Sequence, residues 1–132
     1  MIDYSNEIFN DAKTLLKSVF QDITVIGEYV SSPTSFPTVT IDEVSNVPKY
    51  RDSAKAEKYS MVRYRVQVFS NKSTGKRGEA RNIFMIIDGR LAELGFVRKT
   101  YTTTPDVYNS SVYQITATFE AVIDTNGVIY KN

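Results

Sequence analysis

The sequence contains no histidine and no cysteine. Without histidine there is no Ser-His or Cys-His pair and none of the commonest metal ligand, and without cysteine there is no disulfide, thiol nucleophile or thiolate metal site. The two absences remove most hydrolase templates while leaving the redox compartment open. An excess of one charge is lacking too: sixteen Lys and Arg stand against fifteen Asp and Glu, a formal +1, so no overall field points to nucleic acid or to a membrane surface. No apolar run approaches the ~20 residues of a membrane span. The opening stretch MIDYSNEIFNDAKTLLKSVF is broken by Asp, Glu and Lys too often for a secretory signal, which predicts a chain made and used in an aqueous phase with no membrane partner. Internal repeats and low-complexity tracts are missing as well.

What is present is ordinary globular material. The 132 residues are 42% hydrophobic and 23% charged, enough for one folded domain spanning 1–132. Ile8, Phe9, Ala12, Leu15, Leu16, Val19 and Phe20 recur at helical spacing, predicting an amphipathic helix from Ser5 to Phe20 with Ser5 as N-cap. Thr24 to Val30 and Thr38 to Ser45 read as two strands of a hairpin, separated by a segment holding Pro33 and Pro37, with Val39 and Ile41 facing the core. Asn46 to Lys58 shows neither periodicity and reads as a long loop. Ser60 to Ser70 alternates cleanly, with Val62, Tyr64, Val66 and Val68 on one face and Met61, Arg63, Arg65, Gln67 and Phe69 on the other.

A turn, NKSTGKRG, leads to a second helix over Glu79 to Leu94, carrying Ala80, Ile83, Phe84, Ile87, Leu91 and Leu94 on one side and stopped at Gly95, with Phe96 touching back on Leu91. Phe96 to Tyr101 predicts a short strand, Thr102 to Ser111 a loop, and Val112 to Asp124 a long strand with Ile115, Ala117, Phe119, Ala121 and Ile123 inward. Asn126-Gly127 supplies a tight turn into a final edge strand, Val128 to Tyr130. The expected fold is α+β in two layers: a mostly antiparallel sheet with both helices packed on one face.

Candidate chemistry is sparse. Asp42, Glu43, Asp106 and Asp124 fall at strand ends or in loops, but neighbouring strand residues such as Asp42 and Glu43 point to opposite faces and cannot act as a pair. Gly75-Lys76-Arg77-Gly78 precedes a helix, where phosphates are often held, yet it lacks the glycine spacing and the following hydroxyl of a nucleotide-binding loop. These observations predict no catalytic residue, cofactor or metal. Contact residues are expected instead. Met61, Arg63, Arg65 and Phe69 lie on the sheet face left free by the helices, Lys76 and Arg77 in a basic turn, and Tyr50, Arg51, Tyr101 and Tyr108 in or beside the two long loops, where tyrosine often anchors protein interfaces. Sixteen aromatic Tyr and Phe beside the basic residues also allow a small nucleic-acid-binding domain, although the exposed sheet face offers only Phe69 with Arg63 and Arg65.

The order and spacing of YRVQVFSN (64–71), GKRGEARNIFMIIDGRL (75–91), LGF (94–96) and VYQITATFEAVID (112–124), followed by NG and a short strand, resemble the tail terminator (tail completion) proteins of long-tailed bacteriophages and phage tail-like particles. The resemblance spans most of the chain. It implies a non-enzymatic structural protein, usually a ring of six identical subunits, that caps the tail tube, ends its polymerisation and presents a surface to a neck or head-completion protein. It implies a place in the virion, at the head-proximal end of the tail, after assembly in the host bacterial cytoplasm, with DNA met only as it passes through the ring. Another head-tail joining protein, of the neck or head-completion kind, has a similar small α+β build.

Overall fold

The computed structural model describes residues 1–51, 57–105 and 111–130. In chain order the elements are α1 (Ser5–Val19), β1 (Thr24–Ile26), β2 (Thr38–Arg51), β3 (Glu57–Ser70), α2 (Lys76–Leu94), β4 (Val97–Pro105), β5 (Tyr113–Asp124) and β6 (Ile129–Tyr130). The strands form one sheet in the order β1-β2-β3-β5-β4, antiparallel except for the β1–β2 pair, and β6 joins β5. On its second side β5 is shared end to end, residues 113–120 by β4 and residues 122–123 by β6. Both helices pack on the same face of the sheet, so the α+β two-layer expectation holds.

The core lies between helices and sheet, and it contains the alternating set read from the strands: Val62, Tyr64, Val66 and Val68 from β3, and Ile115, Ala117, Phe119, Ala121 and Ile123 from β5. Ala80, Ile83, Phe84, Ile87 and Leu91 of α2 meet them from above, and α1 contributes Ile8, Ala12 and Leu16. The start of α1 differs from the expected cap. Tyr4 occupies the cap position, and it is the Asp3 carboxylate that accepts hydrogen bonds from the Ser5 N–H at 3.0 Å and the Ser5 hydroxyl at 2.6 Å. Those bonds hold the Asp3 carboxyl below its usual range.

Three other expectations change. β1 and β2 are parallel, not a hairpin, because the intervening segment 27–37 is long enough to carry the chain back to the starting end of the sheet. The expected loop Asn46 to Lys58 is mostly strand: β2 and β3 stay paired, through register shifts after Glu43, Pro48 and Tyr50, out to Arg51 opposite Glu57, leaving only 52–56 outside the described residues. Alternation of residue type is absent from Asn46 to Lys49 because neither face of β2 is fully buried there: Val47 and Lys49 are exposed and Asn46 and Pro48 half-buried. The expected loop Thr102 to Ser111 likewise begins as strand, to Pro105.

The helix ending at Gly95 matches its sequence signal. Gly95 adopts φ of +112°, its N–H donates to the Ala92 carbonyl at 3.1 Å, and the Phe96 N–H donates to the Leu91 carbonyl at 2.9 Å, the two bonds of a Schellman cap. The same glycine is pressed against β6: a Cβ there would stand 2.8 Å from Ile129 Cγ2. Backbone strain and overlap therefore coincide, and Gly95→Ala is expected to lower the unfolding free energy by about 1–3 kcal/mol. In a urea titration the midpoint should fall while the slope stays unchanged; an unshifted midpoint would show that the cap tolerates a side chain.

Candidate interaction surfaces

The sheet face turned away from the helices is not wholly free. Phe69 is 0% exposed, and Gln67, Thr38 and Thr40 are buried with it, because the segment 27–36 lies across this end of the face. Gln67 Oε1 accepts hydrogen bonds from the Thr40 hydroxyl at 2.7 Å and the Val30 N–H at 3.4 Å, Thr38 Oγ1 donates to the Ser35 carbonyl at 2.5 Å, and the Arg65 guanidinium stands 4.4 Å from the Tyr29 ring centroid. Phe69 thus forms part of a second, smaller buried layer, correcting its assignment as a contact residue. It was unreadable locally because the covering segment has no periodicity.

Further along this face the charges are paired across strands. Arg65 grips Asp42, directly opposite on β2, through Nε at 3.2 Å and Nη2 at 2.6 Å; Arg63 reaches Glu120, directly opposite on β5, at 2.8 Å. Both arginines therefore have carboxylate partners before any outside group arrives. Met61 is half-buried. Asp42 and Glu43 do point to opposite faces, since Glu43 accepts a hydrogen bond at 3.0 Å from Tyr64 in the core. Burial, together with the Glu43 carboxylate, raises the Tyr64 phenol far above its ordinary range and keeps its proton in place. Asp124 is turned into its own hairpin, accepting from the Val128 and Asn126 N–H groups at 2.9 Å each and from the Tyr130 hydroxyl, which lowers its carboxyl.

The remaining contact candidates are dispersed. Lys76 and Arg77, expected in a turn before the helix, belong to the first turn of α2, which begins after a left-handed Gly75 (φ +87°) and includes Gly78. Tyr101 sits in the middle of β4, on the helix side, its ring 5.0 Å from that of Phe84 and 40% exposed. Tyr50 and Arg51 are the last residues of β2; Tyr108 and Asp106 lie outside the described residues. Among the described residues no group of three or more His, Cys, Asp or Glu is placed to hold a metal ion.

One surface was not anticipated. An open groove of about 1000 Å³ runs between the outer sides of α1 and α2, floored by Leu15, Val19, Met85, Ile86 and Gly89 and rimmed by Glu7, Asp11, Arg90 and Glu93. Val19 is 48% exposed and Met85 66%. Arg90 binds Asp11 in a two-toothed contact, both bonds 2.7 Å, and touches Glu93 at 3.1 Å, tying the helices together at the rim. A signal for this groove exists in the sequence: the apolar stripe of α1 is wider than the sheet can cover, and Leu15 and Val19 are its overflow. Met85 also borders a smaller cleft with Arg81, Asp88, Arg98 and Tyr101.

No protein-family model and no curated protein matches the chain.

Two ion pairs give measurable consequences. Glu120 is nearly buried while Arg63 is half-exposed, so Arg63→Ala should cost about 1 kcal/mol by stranding the carboxylate, and adding Glu120→Gln should recover part of the loss; a neutral Arg63→Ala would mean the pair is decorative. The hydrogen bond from Arg90 lowers the Asp11 carboxyl from its ordinary value of 3.8. A depressed folded-state pKa stabilises above the unfolded value and is lost as pH falls through the folded one. Asp11→Asn should therefore reduce stability at neutral pH and flatten the loss of stability seen on acidification below about pH 4.

Proposed function

We propose that the chain is a tail terminator: a non-enzymatic subunit that closes with copies of itself, usually six, into a ring over the finished tail tube of a long-tailed bacteriophage or tail-like particle. The observation that carries this reading is where the resembling segments lie. YRVQVFSN is the end of β3, the central strand, VYQITATFEAVID runs into and fills its neighbour β5, and GKRGEARNIFMIIDGRL begins and builds most of the helix packed above both. The pieces that resemble the family are thus one contiguous structural unit. A ring further requires two unlike patches on each copy, and the apolar groove between the helices and the charged, ion-paired sheet face with Arg63 and Arg65 are unlike in chemistry.

In this role the mechanism is geometric. The ring covers the growing end of the tube, stops addition of tail tube protein, and offers its other side to a neck or head-completion protein; DNA meets it only in passage. Its place is the head-proximal end of the tail in the virion, reached after assembly in the bacterial cytoplasm. No helix among the described residues is long and apolar enough to cross a membrane. The nucleic-acid alternative loses support because Arg63 and Arg65, the residues it would use, are engaged by Glu120 and Asp42.

Negative-stain microscopy of the purified protein over a concentration series should show ring-shaped particles, and adding it to polymerising tail tube protein should give tubes capped at one end that no longer lengthen. A strict monomer that leaves tube growth unchanged would sink the proposal. Rings that bind head-completion particles but ignore tubes would transfer the protein to the neck, and salt-sensitive retention on DNA would favour the nucleic-acid reading.

A further inference from the structure

The sheet has two open edges, and they carry opposite charge. β4 ends the strand order on one side, paired with β5 alone, and Arg98 to Thr103 are all exposed. Its outer backbone is therefore open to another strand. The register skips Lys99, but Thr100-Tyr101-Thr102-Thr103 stay regularly paired with β5 and are strand-favouring residues without charge or proline. Beside this edge Arg81 and Arg98 share a cleft with Phe84, Met85, Asp88 and Tyr101. Asp88 is taken by Arg98 at 3.1 Å, and Arg81 and Lys99 have no ion pair among the described residues.

The opposite edge is acidic and notched. β1 covers β2 only from Thr38 to Thr40, and the chain leaves the sheet after Ile26, so the second side of β2 from Ile41 to Glu43 has no strand beside it. A recess of about 490 Å³ stands there instead, between this bare edge, the end of β1 and the first turns of α1, with Phe9, Ile26 and Ile41 in its lining. Glu28, Asp42 and Glu43 line it too, and Asp3 and Glu7 are near enough to act on the Tyr64 hydroxyl that Glu43 binds. Against these carboxylates stand Lys13, 5.8 Å from the Phe9 ring centre, and Arg65, already bound to Asp42. A chain of formal charge +1 is thus negative along one edge of its sheet and positive along the other. A short strand already fills a place of this kind in the molecule, since β6 pairs with β5 over two residues in line with β4.

We propose that β4 of one copy enters the recess of the next and pairs with Ile41–Glu43 of β2, in line with β1, with Arg98 and Lys99 facing Glu28 and Glu43. Direction is satisfied: strands alternate from β2 through β3 and β5 to β4, so a neighbour set alongside with its helices on the same face brings β4 antiparallel to β2. Each copy offers one edge of each kind, at opposite ends of the sheet, so the contact is head-to-tail and propagates until it closes. It leaves both faces of the two-layer domain uncovered for other partners. The inference rests on the self-assembly part of the function proposed above, and not on the identity of the tail.

Sedimentation velocity over a concentration series, comparing the wild type with Arg81→Glu/Lys99→Glu and with Glu28→Lys, tests it. All three side chains are exposed and outside every ion pair of the described residues, so both variants should keep the wild-type melting temperature. Each should need about a ten-fold higher concentration to associate, or more, and wild-type association should weaken with added salt. An equimolar mixture should associate at concentrations where neither variant does alone, because the intact acidic edge of one meets the intact basic edge of the other. Amide exchange at Ile41–Glu43 and at Thr100–Thr103 should slow in the assembled wild type. Wild-type association by either variant, a mixture that stays monomeric, unslowed exchange at either strand, or a wild type that is monomeric at every concentration would each overturn the proposal. Rings that persist in both variants overturn this contact alone; rings lost in the variants, from a wild type that fails to halt tube growth, overturn only the tail assignment.

Discussion

Burial of β3 on both of its faces from Val66 to Ser70 is the constraint from which the rest of the architecture follows. The strand is paired from Tyr59 to Ser70 with β5 on one side and across nearly the same span with β2 on the other, so none of its backbone in that range is left for solvent. Toward the helices it presents Val62, Tyr64, Val66 and Val68, and away from them Gln67 and Phe69. Two helices close the first face, and the segment 27–36 closes the second: the parallel pairing of β1 with β2 rules out a tight turn, and the long connection it needs is the one that crosses this face. A buried amide at Gln67 is tolerable only because Thr40 and Val30 donate to it, so cover and strand specify each other.

That dependence explains which parts of the fold were legible in the sequence. Where one face of a strand or helix meets the core and the other meets water, as along β5 and α2, period and burial agree at nearly every position, Glu120 being buried by its pairing with Arg63 and Leu94 only partly covered. The Gly95-Phe96 stop and the Asn126-Gly127 turn were equally plain, because only a residue free to take positive φ fits there. Legibility failed where burial comes from irregular backbone, at Phe69, and where strands run on past the covered sheet, at Asn46 to Arg51. Parallel pairing of the three-residue β1 with β2 was hidden for a different reason: direction is set by the length and path of the connection, and neither is written in the strands.

The interaction surfaces were less legible than the fold. Residue types that commonly make contacts fall on the sheet and in the loops, yet Arg63 and Arg65 are taken up by cross-strand carboxylates and Phe69 by the interior. The groove between the helices announces itself through surplus: two apolar side chains too many on α1. The width of the α1 stripe can be read in the sequence, but which of its side chains the sheet leaves uncovered is decided by the fold.

Residues far apart in the chain finish one another's packing at the end of the molecule. The Tyr4 hydroxyl donates to the Thr125 carbonyl at 2.8 Å while its ring fills the space beside Gly127, and Gly95 admits Ile129 of β6. During synthesis, then, residue 4 must wait for residue 125 to leave the ribosome before the start of α1 can be locked in place. The entry to α1 is thus fastened by residues more than a hundred positions later, so the helix that forms one wall of the groove gains its last anchor only when both ends of this stretch of chain have met.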